Sequence, residues 1–352
     1  MHVDGQRRPG KHPAVTVSLP VEPTAPAPPA RIDWRAQLKR LTPVIALVLG
    51  VVSQIFARHT VTFAPKALAF LVVAWVLAAG VGAWLPEART GEPHARWRNV
   101  LRKAAATVSV SLFRNVLFFL VPVWFASSTF GAVNMLAPLA LSAVAVFSCF
   151  PEQFRARVLD NQRGRTLWCS AVLFAALVPA AAVEIAASPR LSAAIAAAVA
   201  WVASTLATSR RALQTRFQRI ELVSAALVAA GVCALAAPLL PPVPVACREA
   251  ATGIGLRNRD IDGEADRFPA GTKRVYAWFA VSAPSHYRQG IRFEWYRDGE
   301  RAQQVVAKDI VGGRELGFRT SSFMTSPKSG SWRVDLLTDA SQLIARKRFV
   351  VE

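Results

Sequence analysis

Two polar residues interrupt the apolar run "SLFRNVLFFLVPVWFASS": Arg114 and Asn115. If a helix begins near Ala105, Arg114 sits about nine residues in, or roughly 14 Å deep at 1.5 Å per residue. An ionisable group inside a membrane segment is a candidate for function by default. The plainer alternative is that the span starts later and Arg114 snorkels to the headgroups. Glu184 is the other acid or base within an apolar run. It lies near Arg190, and an interfacial pair accounts for it as well as chemistry does. Arg114, Asn115 and Glu184 therefore form the candidate intramembrane polar site. Arg114 and Glu184 fall at very different depths, so a direct pair is not expected.

Further along, "RDIDGEADRFPAG" spaces Asp260, Asp262, Glu264 and Asp266 like a calcium loop. Gly263 stands in the wrong place for an EF-hand and the terminal ligand is missing. The sequence predicts a solvated loop with no metal. Tyr276, Trp278, Trp295 and Trp332 are candidates for an aromatic surface that takes a glycan, or for the core of a small domain. There is no Cys/His cluster, no Gly-x-Ser-x-Gly elbow and no phosphate loop. Cys149, Cys169, Cys233 and Cys247 lack metal spacing and read as small buried hydrophobes. No catalytic residue and no cofactor is assigned.

The elements that position these residues follow from composition. The chain has 352 residues, 53% of them hydrophobic, with a formal net charge of +20. The basic residues fall between apolar runs, which argues for a bilayer partner and against nucleic acid. A bilayer core of about 30 Å needs about 20 apolar helical residues. Seven spans are predicted, at 42–57, 66–85, 105–126, 132–150, 167–187, 191–208 and 222–240. The sixth is Ala-rich, and Ala193-x-x-x-Ala197 and Ala196-x-x-x-Ala200 suit close helix packing.

Lys and Arg set the orientation. Segments 1–41, 86–103, 151–165 and 209–221 carry seven, five, four and four of them. Segments 58–66, 127–131 and 188–190 carry two, none and one. The asymmetry of 20 against 3 predicts a cytoplasmic N-terminus and a C-terminus outside, in the periplasm of a Gram-negative cell. Six spans would put Arg210, Arg211, Arg216 and Arg219 on the wrong side. Arg outnumbers Lys and Ala is abundant, a composition typical of high-GC bacteria.

The predicted organisation is a disordered, basic, Pro/Ala-rich tail at 1–41 and a seven-helix membrane domain at 42–240. A Pro-containing linker at 241–249 leads to a periplasmic, immunoglobulin-like all-β sandwich at 250–352. The strand signals are "KRVYAWFAVS", "GIRFEWYR", "RAQQVVAKDI", "RELGFRTSSF" and the closing hairpin, where Trp332, Val334 and Leu336 alternate with polar residues. Asp298-Gly299 marks a hairpin turn.

The last 80–100 residues resemble a bacterial C-terminal domain of unknown function. The pattern is an aromatic strand ending at Trp295, then Arg314-x-x-x-Phe318-Arg319-x-x-Ser322. Gly330-x-Trp332-x-Val334 follows, and Phe349-x-Val351 closes it. Phe293 departs from the family, where His is common at that position. The multi-span region resembles the membrane part of the same uncharacterised bacterial proteins. The resemblance implies an architecture and brings no substrate, cofactor or catalytic residue. The function expected from the whole is an inner-membrane, non-enzymatic protein whose periplasmic sandwich binds an envelope protein or glycan. The alternative is a membrane-embedded transporter or lipid-modifying protein working around Arg114.

Overall fold

A computed structural model describes residues 72–77, 95–184, 188–209 and 213–352. The N-terminal tail, the first predicted span and most of the second lie outside the described residues. All described residues belong to one compact unit.

The apolar runs fold as helices: α1 (Ala95–Ala126), α2 (Leu136–Phe147), α3 (Gln162–Glu184), α4 (Pro189–Thr208) and α5 (Arg216–Ala236). Among the described residues four stretches are long and apolar enough to cross a membrane: Thr107–Ala126, Gln162–Val183, Pro189–Thr208 and Arg216–Leu239. The predicted fourth span, 132–150, ends where the chain bends sharply. Val133–Phe147 and Glu152–Val158 meet at 105°, so among the described residues a fifth crossing would be a bent one. Pro151 sits at that break, where its missing N–H and the restricted residue before it stop α2 from continuing.

Local chemistry fixes the helix ends. Ser188 caps α4 by accepting from the Leu191 N–H, with Pro189 in the first turn. Thr215 and Gln218 form a reciprocal capping box on α5. Pro179, inside α3, leaves the Ala175 carbonyl without its helical donor. The Trp124 indole of α1 supplies one at 3.0 Å. The buried face of α4 is made only of Ser192, Ala193, Ala196, Ala197, Ala200 and Ser204. Side chains this small let α4 lie between α3 and α5.

From Ala246 onward the chain is all β. Two principal sheets face each other. One has the order β1 (Ala246–Gly253), β5 (Arg274–Ser282), β10 (Phe318–Thr325). The other runs β4 (Arg267–Phe268), β12 (Leu343–Val351), β11 (Gly330–Thr338), β7 (Ile291–Arg297), β8 (Glu300–Val306). All pairs are antiparallel except β12 with β4. Two ribbons add to them, β2 (Gly255–Arg257) with β3 (Asp260–Asp262), and β6 (Arg288–Gln289) with β9 (Ile310–Val311). Val275, Phe279, Phe293, Trp295, Trp332, Leu336 and Phe349 fill the space between the sheets. The Asp298-Gly299 turn has positive φ at both positions, as a two-residue hairpin between right-twisted strands requires.

Sequence and structure differ at three places. The segment predicted as a linker is largely buried. Val243 packs with the helices and Val245 with the β core, and β1 already starts at Ala246. The strand predicted from Arg314 starts at Phe318, because Gly317 at φ +81° ends a turn there. The acidic stretch predicted as a loop contains strand β3. Its partner β2 is joined to it by Asn258 and Arg259, both at positive φ.

Candidate functional site

The β region is docked on the helices. The Gln342 amide donates to the Ala237 carbonyl at 3.0 Å, and the Asn134 amide donates to the Leu343 carbonyl at 3.0 Å. The Thr129 hydroxyl donates to the Ile344 carbonyl at 3.3 Å. Ala182 and Val183, at the end of α3, pack against the β core. The crevice left between Val178, Pro189, Tyr287 and Gln342 holds about 10 Å³, room for one water at most. This junction is therefore a joint and not a ligand pocket. Burial there pushes the Tyr287 hydroxyl above its ordinary pKa.

The outer face of the five-stranded sheet carries an unusual concentration of charge. Glu294 and Asp335 are directly opposite one another on β7 and β11, and both are buried. Each has its own cations. The Arg346 guanidinium donates to both Asp335 oxygens, at 2.7 and 2.8 Å. Glu294 accepts from Arg292 at 3.0 Å and from the Tyr296 hydroxyl at 2.6 Å. Burial alone would raise the Glu294 carboxyl, but these hydrogen bonds and the charges of Arg292 and Arg301 outweigh it. The group sits below its ordinary value. Burial and the Glu294 hydrogen bond push the Tyr296 hydroxyl up. Two hydrogen bonds to Asp335 hold the Arg346 proton more firmly.

Register orders this face into two transverse rows. One runs Arg346, Asp335, Glu294, Gln304. The next runs Arg348, Arg333, Tyr296, Arg301. Arg333 lies over the Tyr296 ring at 4.0 Å. Its Nε comes only to 3.4 Å from Asp335 and makes no hydrogen bond. Sequence reading did not single out any of these arginines or carboxylates. The available signal was the alternation in "IRFEWYR", "GSWRVDLLT" and "LIARKRFVV", which puts all of them but Arg301 on the outward face; Arg301 joins them past a bulge on β8.

A second concavity lies where both sheets end. The free edges of β8 and β10 flank a groove of about 730 Å³. Val305, Ser322 and Met324 contribute to its lining, and Lys308 and Arg319 are its charged residues.

The residues singled out by sequence scatter. Arg114 is half-buried in α1, its Nε enclosed without a hydrogen-bond partner, and it acts electrostatically on Cys149 just beyond α2. Asn115 is exposed. Glu184 is the last residue of α3, at the end that meets the β region. Trp295 and Trp332 are core residues. Trp278 is buried on the opposite side of its sheet, beneath the β2–β3 ribbon, and donates to the Arg259 carbonyl at 2.8 Å. Tyr276 is half-buried against Phe323. The four aromatics therefore form no common surface. Among the described residues no group of three or more His, Cys, Asp and Glu could hold a metal ion. All four cysteines are free.

Residues 288–351 match DUF2914, a family described as a protein of unknown function. The match spans β6 to β12 and includes every residue of the two charged rows. It fits the resemblance of the C-terminal segment to an uncharacterised domain. No curated protein matches the chain.

Proposed function

We propose that this chain is a bacterial inner-membrane protein with seven spans and a cytoplasmic N-terminus. Its immunoglobulin-like sandwich stands in the periplasm and binds an envelope partner, protein or glycan. One observation carries the reading. The β region meets the helices through Thr129 and Asn134, through Ala182, Val183 and Pro189, and through Ala237. Thr129 and Pro189 lie in the segments poorest in Lys and Arg, and Asn134, Ala182 and Val183 lie in the span ends that adjoin them. The Arg-rich segments flank the opposite helix ends, so the docking geometry and the positive-inside rule support one orientation. The strand order, three strands against a sheet with two central hairpins, supports the immunoglobulin-like topology. So does the buried Trp295 on β7.

The test is thiol labelling of a Gln303→Cys variant, since Gln303 is exposed on β8. The native Cys247 is a poor reporter, because burial pushes its thiol up to about 11. A membrane-impermeant maleimide should label the variant once the outer membrane is permeabilised. Labelling that requires rupture of the inner membrane would refute the orientation.

A second reading, a membrane-embedded transporter or lipid-modifying protein, is favoured by the enclosed, unpartnered Nε of Arg114. Substitution of that residue separates the two.

A further inference from the structure

The outer face of the five-stranded sheet holds more positive charge than its own carboxylates neutralise. Asp335 is engaged by Arg346, and Glu294 by Arg292 and Tyr296. Three arginines are left over. Arg301 reaches Glu294 only at 4.0 Å. Arg333 makes a loose 3.4 Å contact with Asp335. Arg348 is exposed, and among the described residues it makes no hydrogen bond or ion pair. Arg333 and Arg348 are direct cross-strand partners. Like charges so placed destabilise an antiparallel pair. The Arg333–Arg348 juxtaposition opposes folding even though Arg333 stacks on Tyr296, whereas an anion lying across the row would turn the repulsion into attraction.

We propose that the row Arg348–Arg333–Tyr296–Arg301 binds an anionic glycan, one that bears carboxylate or phosphate groups. Guanidinium forks match both oxyanions in bidentate geometry. The row crosses four adjacent strands, and three spacings of about 4.8 Å make it roughly 14 Å long. That length suits successive charges on a polymer better than a single ion. Neither charged row contains an aliphatic side chain, and the Tyr296 ring is covered by Arg333. A peptide-binding face would centre on apolar anchors in pockets, which these two rows lack. Lipid headgroups of the protein's own membrane are the wrong source. Arg333 is five residues along β11 from Thr338, where the sheet turns toward the joint, or about 17 Å at 3.4 Å per residue. The inference rests on the reading of the β region as the binding part. It does not depend on which side of the membrane that region faces.

The experiment uses the full chain purified in detergent micelles, so sidedness does not enter. Fluorescence anisotropy is read with three labelled probes of equal length: an oligogalacturonide, a neutral malto-oligosaccharide and a polyglutamate peptide. A phosphorylated oligosaccharide serves as the phosphate arm. Binding of either acidic saccharide is expected, with none of the neutral one. Arg348→Ala should weaken it about tenfold, and Arg301→Ala should weaken it less. Lys273→Ala, just before β5 of the other sheet, should leave it unchanged. Equal affinity in Arg348→Ala would overturn the proposal. So would an equal loss in Lys273→Ala, which would mean diffuse attraction to net charge. Tighter binding of polyglutamate would replace the glycan by an acidic peptide. No binding of either acidic saccharide would also refute it. Labelling of Gln303→Cys from the wrong side, with saccharide binding intact, would sink the orientation alone.

Discussion

Helix α4 and the sheets bury opposite kinds of side chain, although α1 and α3 also bury large ones such as Phe113, Trp124 and Trp168. The inner face of α4 is Ala and Ser throughout, while the β core is built on Phe279, Phe293, Trp295, Trp332 and Phe349. Their outer surfaces invert in the same way. Helix α5 exposes Phe217, Ile220, Val223, Leu227, Val228, Val232 and Leu235, whereas the five-stranded sheet exposes arginines. The β region gains its stability from removing large apolar groups from water. A bundle in lipid gains little that way, since the tails are as apolar as the side chains, and close packing of small residues takes over. Removing volume should therefore damage the sheets, and adding volume should damage α4.

The largest effect is expected at Trp295. It is fully buried, and its indole donates to the Ser322 hydroxyl at 3.2 Å. Trp295→Ala should cost about 3–5 kcal/mol. A urea titration of the full chain in micelles, followed by the circular dichroism of the β region, measures it. An unchanged midpoint would break the comparison on the β side.

The converse belongs to α4. Ala196 is buried where α4 packs against its neighbours, and Ala196→Leu should cost about 1–3 kcal/mol through overpacking. Leu235→Ala, at a site that is 84% exposed, should be nearly silent in the same micelles. Denaturation by SDS followed by helical circular dichroism compares the two. If Leu235→Ala were the more damaging, the surface of α5 would be a protein interface and not a lipid face.

Sequence could reach one side of this contrast further than the other. Period-2 alternation marked β5, β7, β11 and β12, and Asp298-Gly299 marked their central hairpin, because both signals are local. The β2–β3 ribbon was missed, since Asn258-Arg259 adopts positive φ without the glycine that usually announces such a turn. Long apolar runs marked the helices, but they do not show the break near Pro151 as a change of direction. The charged rows were out of reach for a different reason. Arg301, Arg333 and Arg348 are neighbours only through register, and register depends on tertiary packing. Nor could alternation reveal that Glu294 and Asp335, though on an outward face, are buried beneath their own arginines.

The joint between the two regions tests whether they behave independently. Gln342→Ala removes the amide that satisfies the Ala237 carbonyl, at a net cost of about 1 kcal/mol. Hydrogen exchange should quicken in the 339–343 turn while β7 and β11 keep their protection. Loss of protection throughout the β region would mean that it needs the helices in order to fold.

The outer face of the sheet should respond to pH where the core does not. The Glu294 carboxyl lies below its ordinary value in the folded chain. Between the unfolded value of about 4.3 and the lower folded one, the unfolded state binds more protons. Stability therefore rises with pH across that window. Its contribution is present above the unfolded value and is lost as pH falls through the folded one. Glu294→Gln should flatten this part of the stability–pH curve. An unchanged acid limb would place the depressed carboxyl elsewhere.

The smallest effect is expected at Arg114, and it decides whether the helices are an anchor or a machine. The Arg114 Nε makes no hydrogen bond, so one of the donors that distinguish Arg from Lys is unused there. Asn115 beside it is exposed, and Glu184 lies at the far end of α3, by the β region. No second polar group of the set joins Arg114. Lys offers a comparable apolar stem and the same charge, enough to snorkel. Arg114→Lys should therefore insert, accumulate and present Gln303→Cys to maleimide as the parent does, and it should complement a deletion strain. If Arg114 instead lines a working cavity, its planar fork becomes irreplaceable once a substrate anion occupies it. The substitution would then abolish complementation at unchanged abundance and orientation. That outcome would move the function from the arginine face of the sheet into the helices, and the contrast between the two regions would become one between an active bundle and a passive cap.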